Sequence, residues 1–149
     1  MGRSDYKINV LINSSLPDYR LFVDFLWDYD HNVDSDGDSY NPASRSWAFL
    51  DMESRENENE RFSIDQAQDN PLIYIVKSEN QIIANRVAYF LMKETDGDIY
   101  FNDKNYKFDF YKDKLGNDFD LLKALQRSDK SIWRQSSLEN PYPNRQEKK

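Results

Sequence analysis

Residues 72–91, LIYIVKSENQIIANRVAYFL, contain the change of period that decides the fold class. Leu72 to Val76 form a short uncharged run of β-branched and aromatic residues, the composition of a buried strand. Ser78 and Gln81 then have the reciprocal spacing of a capping box. Beyond them Ile83, Val87, Phe90 and Leu91 point inward from a helix that stops before Asp96-Gly97-Asp98. A buried strand passing straight into an amphipathic helix calls for a layer of helix on sheet.

Upstream, Tyr6 to Ile12 alternate as a strand, with Ile8, Val10 and Ile12 on one face. Ser15-Leu16-Pro17-Asp18 reads as a helix start, with a capping hydroxyl, an early proline and an acid in the first turn. The expected helix runs to about Asp28, with Tyr19, Phe22, Val23 and Leu26 as its core stripe. Arg20, Asp24 and Asp28 would face water, with Phe25 and Trp27 at the margins. Tyr29 to Ser46 is polar and reads as a loop. Ser46 to Met52 is the next strand, with Trp47 and Phe49 assigned to the core, and Glu53 to Glu60 is an acidic turn. Arg61 to Asn70 reads either as a short strand or as one helical turn.

Downstream, Ile99–Phe101 and Tyr106–Phe110 flank a hairpin turn at residues 102–105. A last helix over Asp118–Arg127 presents Leu121, Leu122 and Leu125. The order predicts an α+β fold, an antiparallel or mixed sheet with helices packed on one face. The first six elements, β-α-β-β-α-β, have the order of a ferredoxin-like core, to which a strand and a helix are added. Residues 1–127 read as a single domain. Residues 128–149 read as a polar basic strap and tail, with Trp133 as the anchor.

Composition removes many functions. The chain has 149 residues, no cysteine, one histidine and four glycines. Disulfide frameworks, thiol catalysis, Cys-ligated metals and multi-histidine sites are excluded, and no phosphate-binding glycine loop occurs. No apolar run is long enough to span a bilayer, and no hydrophobic leader follows the N-terminus, so the expected compartment is the cytoplasm. The net charge of −7 argues against nucleic acid as a partner and for a basic one. The charge is also segregated. Residues 123–149 carry seven basic and three acidic side chains, net +4, which leaves −11 on residues 1–122.

The acidity is densest between Asp24 and Asp38. Asn32-Val33-Asp34-Ser35-Asp36-Gly37 matches the first half of an EF-hand-like calcium loop, but Ala43 stands where the bidentate glutamate belongs and Ser39 where an apolar residue belongs. No metal site is assigned and no cofactor is expected. His31 lacks a G-x-S-x-G nucleophile elsewhere in the chain, and 27 acids make chance carboxylate pairs inevitable, so no catalytic residue is assigned and the chain reads as a non-enzyme. Trp27, Tyr29 and Tyr40 lie among the carboxylates Asp28, Asp30, Asp34, Asp36 and Asp38. Aromatic anchors amid charge are the usual composition of a protein interface.

These acidic and aromatic residues, the Glu53–Glu60 turn and the cysteine-free α+β body resemble the immunity proteins of bacterial contact-dependent or polymorphic toxin systems. The resemblance implies a stoichiometric inhibitor of a cognate, basic toxin, with a nuclease domain as one candidate target. With no apolar run long enough to span a bilayer, no membrane partner is expected. Trp27, Asp28, Tyr29, Asp30, Asp34, Asp36, Asp38 and Tyr40 would form its partner-binding surface. Alternatives are a phage or mobile-element inhibitor that imitates nucleic-acid charge, a metal-assisted hydrolase using Asp34 and Asp36, and an adaptor domain whose acidity serves solubility.

Overall fold

A computed structural model describes residues 6–27, 33–37, 47–56, 59–101, 104–106, 115–116, 118–137 and 139, with residues 35–37, 101 and 104–106 placed by backbone only. The strands are β1 (Tyr6–Leu11), β2 (Val33–Gly37), β3 (Phe49–Ser54), β4 (Arg61–Gln66), β5 (Ile73–Ser78), β6 (Asp98–Phe101) and β7 (Lys104–Tyr106). The helices are α1 (Leu21–Leu26), α2 (Gln81–Thr95) and α3 (Leu121–Asp129), followed by a 3-10 turn over Ile132–Gln135. The strands form one seven-stranded sheet in the order β2-β3-β4-β5-β1-β6-β7. Every pairing is antiparallel.

The fold is therefore α+β. Through its centre the sheet runs β4-β5-β1-β6, and β1 is antiparallel to both of its neighbours. The meander β2-β3-β4-β5 extends the sheet on one side of β1.

Strand alternation builds the core. Ile8, Val10, Leu50, Met52, Phe62, Ile64, Tyr74, Val76 and Ile99 are buried on one face, where α2 packs across β1, β4, β5 and β6. Helix α2 begins two residues later than the capping box suggested. Asn80 is the N-cap, and its side chain accepts from the Ile83 amide at 3.2 Å. The Ser78 hydroxyl instead donates to the Arg61 carbonyl and accepts from the Asn80 amide, which ties the helix start to the sheet. At the other end Asp96 is left-handed, with φ of 53°. Gly97 follows because a Cβ there would lie 2.1 Å from the Leu11 carbonyl.

Helix α1 is shorter than its pattern. The chain from Leu16 to Asp18 runs into the core, and the bonds Leu21 N–H to Asp18 O, Phe22 N–H to Tyr19 O and Val23 N–H to Arg20 O wind a tight first turn. The stripe is rotated accordingly. Phe25 and Asp24 are buried, and Val23 is only half-buried. Phe22 meets Trp47, Phe62 and Phe90 at ring separations of 6.2, 5.8 and 5.3 Å, and Phe25 stacks on Phe90 at 4.5 Å. Trp47 is in the core as expected, with its indole N–H donating to the Pro17 carbonyl. Phe49 is not. One step of alternation puts it on the other sheet face, 39% exposed. In α3 the buried residues are Ala124 and Ser128, and Leu122 is 74% exposed.

Asp18 closes this layer. Its carboxylate is 0% exposed. It accepts from the Arg20 amide and Nε at 2.9 Å, from Arg20 Nη2 at 2.5 Å and from the Ser136 hydroxyl at 2.6 Å. The Arg20 guanidinium lies 3.8 Å from the centre of the Trp133 ring. The segment from Ser128 to Ser136 is thus anchored through Trp133 and Ser136. Arg134 adds a two-pronged pair to Glu94, and Arg127 donates to the carbonyls of Asp24 and Phe25.

Asp18→Ala leaves the guanidinium of Arg20 largely buried without its carboxylate, and the loss expected in chemical denaturation is about 3–5 kcal/mol. A second outcome concerns alkali. Burial pushes the Tyr89 phenol up to about 12 from an ordinary 10.0. Tyr89 therefore contributes its full stabilisation below pH 10, and that contribution is lost as pH rises through the folded value. Tyr89→Phe should flatten the fall in stability between pH 10 and 12 measured by urea titration, by a slope of up to about 1.4 kcal/mol per pH unit.

Candidate partner-binding surface

The helices cover one face of the sheet, and the opposite face carries the polar alternates. Strand β2 brings the acidic stretch to this face, at the sheet edge. Its register sets Asp34 opposite Glu53 and Asp36 opposite Asp51. Residues 33–37 are thus an edge strand and not the polar loop that their composition suggested. Asp/Ser/Gly content is depleted in strands on average, but pairing to β3 overrides that preference.

The same register continues inward. Asp51 lies opposite Ser63, Ser63 opposite Lys77, and Lys77 opposite Lys7. One row across the sheet therefore begins with two acids at the edge and ends with two lysines near its centre. In the neighbouring row Asp34 and Glu53 precede Arg61.

Between β3, β4, β5 and the turn into α2 lies a polar groove of about 710 Å³ lined by Asp51, Glu53, Arg61, Lys77 and Glu79 among others. Arg61 donates to both Asp51 oxygens, at 3.1 Å from Nε and 2.7 Å from Nη2. Asp51, by hydrogen bond and by charge, raises the guanidinium pKa most, with further help from Glu53 and Glu79. Lys77 pairs with Asp65 at 2.9 Å, and Arg55 Nε lies 3.4 Å from Asp34, both of the latter being well exposed.

Trp27 sits at the end of α1, half-buried against the core. Its indole N–H donates to Glu60 Oε1 at 2.7 Å, and the Glu60 carbonyl accepts from the Ser54 amide beside Val33. Trp27 is therefore tied to the β3–β4 turn, next to the start of β2. Asp34 is exposed, and Asp36 stands two residues further along the same strand. Asp28, Tyr29, Asp30, Asp38 and Tyr40 lie outside the described residues, as does His31.

Asp51, Glu53, Arg61 and Glu79 were not singled out by sequence reasoning. The signal for the first two was available, since residues 49, 51 and 53 alternate against the buried Leu50 and Met52. It becomes readable only when residues 61–66 are recognised as a strand and not as a helical turn.

No protein-family model, no curated protein and no solved structure matches this chain. Among the described residues, no three His, Cys, Asp or Glu side chains gather as a metal site, and no helix is long and apolar enough to cross a membrane. The arrangement offers charge complementarity to a basic surface.

The calcium-loop pattern conflicts with β2 directly. Such a loop turns sharply at its glycine, whereas Gly37 is paired to Leu50 in an extended ladder. Addition of ~1 mM calcium is expected to move the melting temperature by less than about 1 °C, because a ligand that does not bind the native state cannot stabilise it. A larger rise in differential scanning fluorimetry would contradict this.

Proposed function

We propose that the protein is a stoichiometric inhibitor of the immunity type, which neutralises a basic protein toxin by covering it with the acidic edge of the sheet. The observation that supports this reading is the ladder of like charges on β2 and β3, Asp34 against Glu53 and Asp36 against Asp51. Carboxylates set directly opposite each other destabilise a strand pair by a few tenths of a kcal/mol or more. A cationic partner turns that repulsion into attraction, so the strand pair is better satisfied bound than free.

The chemistry is occupancy without catalysis. The acidic edge steers the encounter, so association slows steeply as salt rises. Trp27, tied to the β3–β4 turn beside the start of β2, supplies apolar contact that slows dissociation. Such an inhibitor works in the cytoplasm, where the toxin would act on the cell that makes it.

The test has two arms. Immobilised protein should retain from a lysate of the producing cells a basic protein at a 1:1 ratio, released by salt. Expressed alone, that protein should arrest growth, and co-expression of the inhibitor should restore it. Reversal of Asp34 and Asp36 together to Lys should weaken binding by about 100-fold or more, as the loss of two or more favourable charge contacts at an interface does. Reversal of Asp69 and Glu139, exposed acids away from β2 and β3 in sequence, should change affinity by less than about 5-fold, in keeping with screened long-range charge. Equal effects from the two pairs would remove the edge from the reading.

A further inference from the structure

The groove beside the acidic edge already holds a guanidinium, and the guanidinium is the chain's own. Arg61 lies directly across the ladder from Glu53, but its hydrogen bonds run elsewhere. It reaches diagonally and lays Nε and Nη2 side by side on the two oxygens of Asp51. This is the fork geometry by which carboxylates select arginine over lysine. The seat is shallow. The Arg61 side chain is 59% exposed, and that of Asp51 is 22% exposed. Exposed ion pairs contribute little to stability, so Arg61 can leave Asp51 for water without unfolding its surroundings. The other groove cation, Lys77, is held to one side by Asp65.

We propose that Asp51 is the seat for an arginine side chain of the partner, and that Arg61 occupies it in the free protein as an exchangeable internal counter-ion. Binding swaps one guanidinium for another, and Glu53 and Glu79 keep the groove negative enough to favour the incoming one. The exchange rests on the reading of the partner as basic, and it narrows that partner to one presenting arginine. The internal ion pair also acts as a filter. A lone lysine, without the fork, exchanges poorly against it, so simple polycations are discriminated against.

The experiment is a fluorescence-anisotropy titration at low salt with two labelled probes, a hexa-arginine and a hexa-lysine peptide. Arg61→Gln should tighten hexa-arginine binding by about 3- to 10-fold, the range of one additional charge-assisted hydrogen bond. Its effect on hexa-lysine should be smaller. Lys130→Gln, which makes the same change in net charge just beyond α3, should leave both probes within about 2-fold, consistent with screening over distance. Adding Asp51→Asn to Arg61→Gln should abolish the gain. Circular dichroism melts verify folding, and Arg61→Lys, which keeps the charge but loses the fork, should also tighten hexa-arginine binding.

Weaker binding by Arg61→Gln, an effect equal to that of Lys130→Gln, or a gain that survives Asp51→Asn would each overturn the exchange. These outcomes are separable from those for the inhibitor reading. Failure of the exchange while the Asp34 and Asp36 reversals still abolish growth rescue removes only the Asp51 seat. A clear exchange with no toxin neutralised removes only the inhibitor.

Discussion

A carboxylate wholly excluded from water sits at the start of α1, and the helical layer is arranged around its needs. Burying an ionised group costs several kcal/mol unless charge and hydrogen bonds replace its hydration. Asp18 receives those bonds from two sources, Arg20 two residues on and Ser136 near the other end of the described chain. Satisfying one anion therefore joins the β1–α1 connection to the C-terminal strap. A helix of six residues has no stability of its own in water. It persists here because Phe22 and Phe25 are inserted between Trp47, Phe62 and Phe90, and because the strap closes over its outer side through Arg20 and Trp133.

That arrangement has a consequence for the surface. The strap brings Arg127 and Arg134 to the helical layer. There Arg127 binds the last carbonyls of α1, where a cation is favoured by the helix dipole, and Arg134 binds Glu94. These cations are engaged on the helix side of the sheet. The acids of β2 and β3 stand at the sheet edge with Arg55 and Arg61 as their nearest basic partners among the described residues. Among the described residues, segregation along the sequence thus becomes segregation in space, with Arg127 and Arg134 on the helical side and Asp34, Asp51 and Glu53 on the other.

Much of the fold was legible from periodicity. Alternation placed Ile8 and Val10 inward, and a change of period located the strand and helix on either side of Ser78. What failed had local physical causes. The stripe of α1 was misphased because Pro17 and Asp18, read as a helix start, instead carry the chain into the core, so Phe25 is buried and Val23 turned aside. The edge strand was hidden because Asp34, Ser35, Asp36 and Gly37 have the composition of a turn, and only pairing with β3 makes them extended. The order of strands was not legible at all. Nothing in the sequence between β1 and β5 states that they pair. The site was half legible for the same reason: Asp34 and Asp36 stood out by density, whereas Asp51 and Glu53 acquire meaning only from the register that sets them opposite.

The acidic edge also answers a problem that any open sheet poses. An exposed edge strand invites pairing with other chains, and charge on that strand discourages it. Acids on β2 therefore make sense for solubility alone, and β2 by itself would argue for nothing more. The second rank of acids changes the argument. Asp51 and Glu53 lie one strand in from the edge, where they do nothing to blunt edge-to-edge pairing and face Asp36 and Asp34 across the ladder, with Arg61 seated on Asp51. Protection of the edge needs one row. Two facing rows, with an arginine already seated on the inner one, are more than edge protection requires, and on them rests the proposal of a cationic partner.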